Sequence, residues 1–133
     1  MLIRRLQHTS IGIDAAREAE ARHFYGDVLG LREKRRPLAL KDRALIWYDV
    51  GEEDDEIHLI LTDPKRFSAL RPGDHFCIEV EDLGAMADRL QRHDVEILAA
   101  TEIDGRPRFF VNDPCGNSIE FVQITGQFTP VGG

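Results

Sequence analysis

QHTSIGI, residues 7–13, returns as DHFCIEV at 74–80, and EIHLIL, residues 56–61, returns as SIEFVQ at 118–123. These stretches place apolar residues at alternate positions, as strands with one buried face do. An internal repeat of this kind predicts two similar modules related by a pseudo-twofold axis. The sequence therefore predicts one supersecondary unit that is used twice.

The repeat places four potential metal ligands at matching positions. His8 aligns with His75, and His58 aligns with Glu120. On each predicted strand these side chains point away from the apolar face, because successive residues of a strand face opposite sides. Ligands at equivalent points of two modules can converge on their common axis. We therefore predict one ion held by His8, His58, His75 and Glu120.

The periodicity and turn residues give the order β-α-β-β-β in the first half of the chain. A helix is predicted from Asp14, which can cap its N-terminus, to Leu29, and Gly30 ends it. The predicted strands of this half are 3–13, 31–36, 44–50 and 57–62. Residues 37–42 form a predicted loop. This half, residues 1–63, is the first module.

The same order recurs in the second module, residues 73–126. Its predicted strands are 74–80, 95–99, 106–111 and 117–125, and its predicted helix is 82–93. The connection between the modules includes a predicted short helical turn at 65–70, and residues 127–133 form a predicted loose tail. We interpret residues 1–126 as a single α+β domain of two tandem βαβββ modules.

Bulk composition restricts the class of protein. The 133 residues contain 42% hydrophobic and 31% charged residues, which is typical of one soluble domain, and the net charge of -7 argues against a nucleic-acid partner. The sequence lacks an apolar run long enough for a membrane span, so we predict no membrane partner and a cytoplasmic location. The basic run 32–36 either attracts an anionic substrate or is a solvated edge strand.

Three imidazoles and one carboxylate suit a borderline divalent ion such as Zn, Ni, Co, Mn or Fe, whereas Ca and Mg prefer all-oxygen shells. An octahedral ion with four protein ligands keeps two open positions, where a substrate with two neighbouring oxygens could bind. His23 and His93 lie on the predicted helices, outside the repeat, and we interpret them as surface residues. Cys77 and Cys115 are too few and too differently placed for a disulfide framework or a cysteine zinc site.

Two further stretches carry a family resemblance. FYGDVLGL at 24–31 and DPCGNSIEF at 113–121 resemble the helix end and the closing turn and strand of the vicinal oxygen chelate superfamily. That superfamily includes glyoxalase I, methylmalonyl-CoA epimerase, extradiol dioxygenases and the fosfomycin and bleomycin resistance proteins. The resemblance extends over residues 3–125. It implies a glyoxalase-like fold, in which the two modules form a curved mixed sheet around a metal site.

The resemblance also implies roles for individual residues. The ligand positions of the family are held here by His8, His58, His75 and Glu120. His58 departs from the Glu of bacterial glyoxalase I and the Gln of the epimerase. The Arg and Asn that contact glutathione in bacterial glyoxalase I are replaced by Gly12 and Thr62, so any thiol or substrate can differ. Members often form dimers, and we expect a homodimer.

Three functions remain open at this stage. The first is a metal-dependent lyase or isomerase that chelates a small substrate and promotes proton transfer next to a carbonyl, with Glu120 and His58 as catalytic residues. Candidate substrate contacts are Tyr48, Glu79 and Arg108. The second is an extradiol-type dioxygenase with a His-His-Glu site, in which His58 acts as a second-sphere acid or base. The third is a metal-free, ligand-sequestering protein of the bleomycin-resistance type.

Overall fold

The computed structural model describes residues 1–132 and divides into two compact units, Met1–Ala69 and a second that starts at Leu70. Each unit has one four-stranded sheet, and helical residues follow its first strand. The order of elements is βαβββ in both, which confirms the predicted tandem fold. Among residues 1–132, no helix is long and apolar enough to cross a membrane.

The sheet of the first unit has the strand order β1-β4-β3-β2. Its strands are β1 (His8–Asp14), β2 (Arg32–Lys34), β3 (Leu45–Val50) and β4 (Asp55–Thr62). β1 runs parallel to β4, and the other pairs are antiparallel. The register places Ser10 and Trp47 on either side of His58. The central strand β4 therefore carries His58 in the middle of the sheet.

The predicted first helix consists of three segments. A 3-10 turn (Ala15–Arg17) leads into α1 (Glu18–Arg22), and a π-helical segment (His23–Val28) follows. The Asp14 carboxylate accepts a hydrogen bond from the Ala16 amide, and Gly30 has a φ of 76°, so both predicted ends are confirmed. The π segment buries Phe24, Tyr25 and Val28, and the Tyr25 ring stacks on Tyr48 of β3. The buried apolar residues of the helical segments and the sheet in this unit are Ile11, Ile13, Ala21, Phe24, Tyr25, Val28, Ile46, Tyr48, Ile57 and Leu59.

The second unit repeats this arrangement with shorter strands, in the order β5-β8-β7-β6. Its elements are β5 (Phe76–Glu79), α2 (Leu83–Arg92), β6 (Leu98–Ala99), β7 (Arg108–Asn112) and β8 (Ser118–Val122). β5 is parallel to β8, as β1 is to β4. The Asp82 carboxylate caps α2 by accepting from the Ala85 amide. The core side chains Leu90, Phe109, Val111, Ile119 and Phe121 are all buried.

Two local predictions are wrong, and a third is confirmed only in part. The first strand begins at His8 and not at residue 3, and the apolar side chains of Met1, Leu2 and Ile3 are exposed. The short helical turn predicted at 65–70 is confirmed only at its start, where the amides of Arg66 and Phe67 donate to the Asp63 carbonyl. A 3-10 helix (Leu38–Leu40) interrupts the predicted loop at 37–42.

Candidate functional site

Strand alternation decides which residues of β4 can reach a ligand. Ile57 and Leu59 are 2% and 0% exposed on the helix-packed face, and His58 lies between them on the opposite face. His58 is itself only 7% exposed. It is therefore a buried polar residue, which must be held by specific partners.

Two aromatic rings cover His58 from neighbouring strands. Trp47, its partner on β3, stacks on it with ring centroids 3.7 Å apart and planes 8° apart. His8 on β1 also stacks on it, with centroids 4.2 Å apart and planes at 23°. The structure thus brings together the two predicted ligands of the first unit, His8 and His58.

Glu56, two residues before His58 on the same face, fixes the orientation of its ring. Glu56 Oε1 lies 2.9 Å from His58 Nε2, and Oε2 lies 2.6 Å from Lys34 Nζ. Burial raises the pKa of Glu56, but hydrogen bonds from Lys34, His58 and Gln7 outweigh burial and lower that pKa to about 2. A carboxylate can only accept, so Nε2 of His58 donates, and in the neutral ring Nδ1 keeps its lone pair.

The same logic applies to His8. Its Nδ1 lies 2.7 Å from Gln7 Oε1, and Gln7 Nε2 donates to the Asp54 carbonyl at 2.8 Å. The second contact identifies the amide nitrogen of Gln7, so its oxygen must face His8. Nδ1 of His8 therefore donates, and Nε2 keeps its lone pair for a ligand.

The second unit brings His75 and Glu120 into direct contact. His75 Nδ1 donates to the Gly73 carbonyl at 3.0 Å, which leaves Nε2 with the lone pair in the neutral ring. Nε2 lies 3.0 Å from Glu120 Oε1. Two acceptors at this distance need a proton or a cation between them. Glu120 is 9% exposed, so solvent cannot easily supply the compensation.

Other polar residues of this sheet face surround Glu120. Arg108 Nη1 lies 3.4 Å from Glu120 Oε2, and the Arg108 guanidinium also lies over the Phe110 ring. Cys77 is the register partner of Glu120 on β5, and Glu79 follows on the same face. Burial and then the charge of Glu120 raise the pKa of the Cys77 thiol to about 11, so this thiol stays protonated at neutral pH.

Tyr48 is not brought to this face. It is 1% exposed and stacks on Tyr25 beneath the helical layer, with ring centroids 6.0 Å apart. Burial raises the pKa of its phenol. The physical reason is the alternation of β3: because Trp47 lies beside His58, its neighbour Tyr48 faces the core. We therefore give Tyr48 no part in the proposed site below.

A second group of possible ligands, the carboxylates of Asp49, Asp54 and Glu56, lies beside His58. The Lys34 ammonium lies 3.0 Å, 3.5 Å and 2.6 Å from these three carboxylates. These contacts raise the pKa of Lys34, led by its hydrogen bond to Glu56. The lysine already supplies the positive charge that a metal ion would bring, so we assign no metal to this group.

In each unit, the two predicted donors that lie together fit a borderline divalent metal. Each of the three imidazoles has one nitrogen bound to an acceptor of its own unit, as metal-binding histidines usually do. The other nitrogen of His75 faces Glu120. Two ligands at about 2.1 Å from one ion and at right angles to each other are about 3 Å apart. The His75–Glu120 distance of 3.0 Å matches this separation.

Sequence reasoning missed the residues that hold the donors. Glu56 and Trp47 contact His58, Gln7 contacts His8, and Lys34 contacts Glu56. Period-two alternation on β4 would have identified Glu56, because it lies two residues before His58. Trp47 and Lys34 carry no such signal, since their positions depend on the register between strands.

Comparisons with known proteins agree with this fold. The family model described as Glyoxalase/Bleomycin resistance protein/Dioxygenase superfamily matches residues 5–121. Among solved structures, a glyoxalase family protein from Bacillus anthracis is 28% identical with a TM-score of 0.83, and the similarity covers 93% of this chain and 98% of that chain. No curated protein sequence matches the chain.

Two more distant structures share the fold at 20% identity. A lactoylglutathione lyase from Agrobacterium tumefaciens has a TM-score of 0.64, over 92% of this chain and 96% of that chain. The antibiotic binding protein TnmS3 from a Streptomyces species has a TM-score of 0.69, over 93% of this chain and 98% of that chain. With the family model matching nearly the whole chain, the protein belongs to the Glyoxalase/Bleomycin resistance protein/Dioxygenase superfamily.

Proposed function

We propose that this protein is a metal-dependent enzyme of the lyase or isomerase type, which binds a small substrate through two neighbouring oxygens and promotes proton transfer next to a carbonyl. The observation that carries the proposal is the contact of His75 Nε2 with Glu120 Oε1 at 3.0 Å, where Nδ1 already donates to Gly73. A divalent cation satisfies both acceptors at once.

The proposed ligands are His8, His58, His75 and Glu120, with Zn, Ni, Co, Mn or Fe as the ion. We infer that both pairs of donors serve one ion, supplied either by one chain or by the two chains of a homodimer. When bound, the ion would polarise the two substrate oxygens and so acidify the adjacent carbon.

The protein's own residues would then position the substrate and move the proton. Glu120 has a second oxygen, Oε2, beside Arg108, and this oxygen is a candidate proton acceptor. Arg108 and Glu79 share its sheet face and can contact polar groups of the substrate. His58 cannot easily reorient, because Glu56 and two stacked rings hold it. Its Nδ1 is therefore presented in one fixed direction.

The tight enclosure of His58 favours a second candidate function. If His58 stays bound to Glu56 and acts only from the second sphere, His8, His75 and Glu120 form a three-ligand site of the kind used by extradiol-type dioxygenases. That reaction would consume molecular oxygen and a catechol. Loss of metal in a His58 variant distinguishes the two functions, since only the four-ligand site depends on His58.

We also propose that the protein is cytoplasmic and forms a homodimer. Cys77 and Cys115 are free thiols, as is usual in a reducing compartment. A third possibility, a metal-free protein that sequesters a ligand, is the outcome to expect if no metal binds. The fold likeness to an antibiotic binding protein is compatible with it.

The test is the metal content of untagged protein, measured by elemental mass spectrometry after incubation with Zn, Ni, Co, Mn and Fe. Wild type is compared with His8→Ala, His58→Ala, His75→Ala and Glu120→Ala. The matched control is His93→Ala, which removes an exposed imidazole at the end of α2. Circular dichroism verifies that each variant is folded.

Near-stoichiometric metal in wild type and in the control, with loss in all four ligand variants, supports the lyase or isomerase proposal. Retention in the His58 variant alone, together with oxygen-dependent turnover of a catechol, moves the assignment to the dioxygenase. A folded wild type that binds none of the five metals contradicts both enzyme functions.

A further inference from the structure

An open cleft of about 330 Å³ lies at the β2 edge of the first unit's sheet. Its volume falls at the lower end of the range typical of small-molecule sites. The residues around it come from β2, from the 3-10 helix Leu38–Leu40 and from β3, so the cleft belongs to one unit. None of the four proposed metal ligands lines it.

The cleft is strongly basic although the chain has a net charge of -7. Five charged residues line it, and four of them are cationic: Lys34, Arg35, Arg36 and Lys41, against Glu33. The acid is already neutralised, because Arg22 contacts Glu33 Oε1 at 2.6 Å. A local excess of positive charge therefore remains at this edge.

The four cations differ in what already holds them. Lys34 is engaged by three carboxylates, and Arg36 donates to the carbonyls of Leu45 and Lys41, which fixes the loop around the cleft. Arg35 and Lys41 are exposed, and neither forms an ion pair with another residue in the part of the chain that the structure describes. These two side chains are therefore available to a bound anion.

The remaining lining is apolar. Pro37, Leu38, Leu45 and Trp47 contribute it, and Leu38 is 82% exposed. An inorganic ion would gain nothing from this apolar surface, whereas an organic molecule would bury it. The small volume of the cleft and the net negative charge of the chain both disfavour a polyanion such as nucleic acid.

Trp47 connects the cleft with the proposed site. It lines the cleft, and its ring stacks on His58 with centroids 3.7 Å apart. A molecule bound in the cleft with its charged end at Arg35 and Lys41 would thus lie against the same indole ring that covers His58.

We propose that this cleft is an anion-binding subsite for a small organic acid with an apolar body, held at its charged end by Arg35 and Lys41. The inference that such an acid is a substrate of the enzyme rests on the proposed function. The inference that the cleft binds such an acid depends only on the residues of the cleft.

Trp47 is the only tryptophan in the chain, so its fluorescence reports occupancy of the cleft directly. We would titrate the full-length protein with hexanoate and, separately, with hexanamide, its neutral counterpart. Both titrations are done on metal-loaded and on EDTA-treated protein. Hexanoate is expected to change the emission saturably in both forms, more tightly at low salt, and hexanamide is expected to bind at least about tenfold more weakly.

The double variant Arg35→Gln/Lys41→Gln is expected to weaken hexanoate binding by about tenfold. The matched control Lys65→Gln/Arg66→Gln makes the same change of charge at exposed residues outside the cleft, and should bind as wild type does. Both substitutions replace exposed side chains, so folding is expected to be unaffected.

Equal binding of hexanoate by wild type and the Arg35/Lys41 variant overturns the inference, and so does equal binding of hexanoate and hexanamide. An unchanged emission with hexanoate overturns it as well. Failure of the proposed function gives a different pattern: the protein then takes up no metal, while charge-dependent binding of hexanoate persists and supports the cleft as an anion site.

Discussion

At the level of single residues, each of the three histidines among the candidate ligands has one ring nitrogen that remains an acceptor when the ring is neutral. A neutral histidine has one N–H and one lone pair, and a partner for the N–H decides which nitrogen keeps the lone pair. Gln7, Glu56 and the Gly73 carbonyl play that part for the three histidines. The donors are thereby prepared before any ion binds.

Glu56 is the most strongly perturbed of these partners, and its effect should appear in the pH dependence of stability. Its pKa is about 2 in the folded protein and 4.5 without the fold. A folded pKa below the unfolded one means that the carboxylate stabilises the fold above about pH 4.5 and that this contribution disappears as pH falls through about 2.

We predict that Glu56→Gln lowers the free energy of unfolding of the metal-free protein by about 2 kcal/mol at pH 7, since the amide cannot neutralise Lys34. The difference from wild type should fall to roughly half by pH 3. Urea unfolding at both pH values measures it. Glu53→Gln, an exposed acid of the nearby turn, is the control. A difference that grows as the pH falls would contradict the assignment of the charge to Glu56.

At the level of elements, the turn at residues 113–117 explains why its sequence is so distinctive. The buried Asp113 carboxylate accepts from the amides of Cys115 and Asn117 and from the Asn117 side chain. Asn117 Oδ1 in turn accepts from the Leu70 amide at 3.0 Å. One carboxylate therefore organises the turn and ties it to the start of its unit, immediately before β8 and Glu120.

We predict that Asp113→Ala lowers the free energy of unfolding by about 2–4 kcal/mol, because it leaves buried amides without an acceptor. Chemical denaturation measures the change. Asp104→Ala removes an exposed Asp from another turn of the same unit and should cost less than about 0.5 kcal/mol. Equal costs for the two variants would mean that the turn does not organise the end of the sheet.

At the level of the whole molecule, the two units offer their donors on equivalent strands. β1 and β4 carry His8 and His58, and β8 carries Glu120, with His75 immediately before β5. In both units the parallel pair of strands is the one that provides them. If both pairs bind one ion, metal binding must be coupled to the stability of the whole chain.

We therefore predict that a saturating divalent metal raises the melting temperature of wild type, and that EDTA reverses the rise. Metal at one hundred times its Kd adds about 2.7 kcal/mol. His75→Ala and Glu120→Ala should lose this gain, and His93→Ala should keep it. Differential scanning fluorimetry with and without metal measures the shift. A metal-induced rise that survives in the Glu120 variant would place the ion elsewhere.

The amino-acid sequence by itself determined the tandem βαβββ order, the capping residue Asp14, and the equivalence of His8 with His75 and of His58 with Glu120 in the repeat. These are local or repeated features. Alternation of side chains, turn residues and helix caps act over a few positions, so a single sequence records them directly.

Only the tertiary structure decided which neighbours each donor has. Trp47 and Tyr48 are adjacent aromatic residues of one strand, yet the first stacks on His58 and the second is buried in the core. Which of the two faces the donors depends on how β3 pairs with β4, and a one-residue shift of register would exchange them. The Lys34–Glu56 contact and the cleft beside Trp47 depend on that pairing too, because residues far apart in sequence meet only through the hydrogen-bonded register of the sheet.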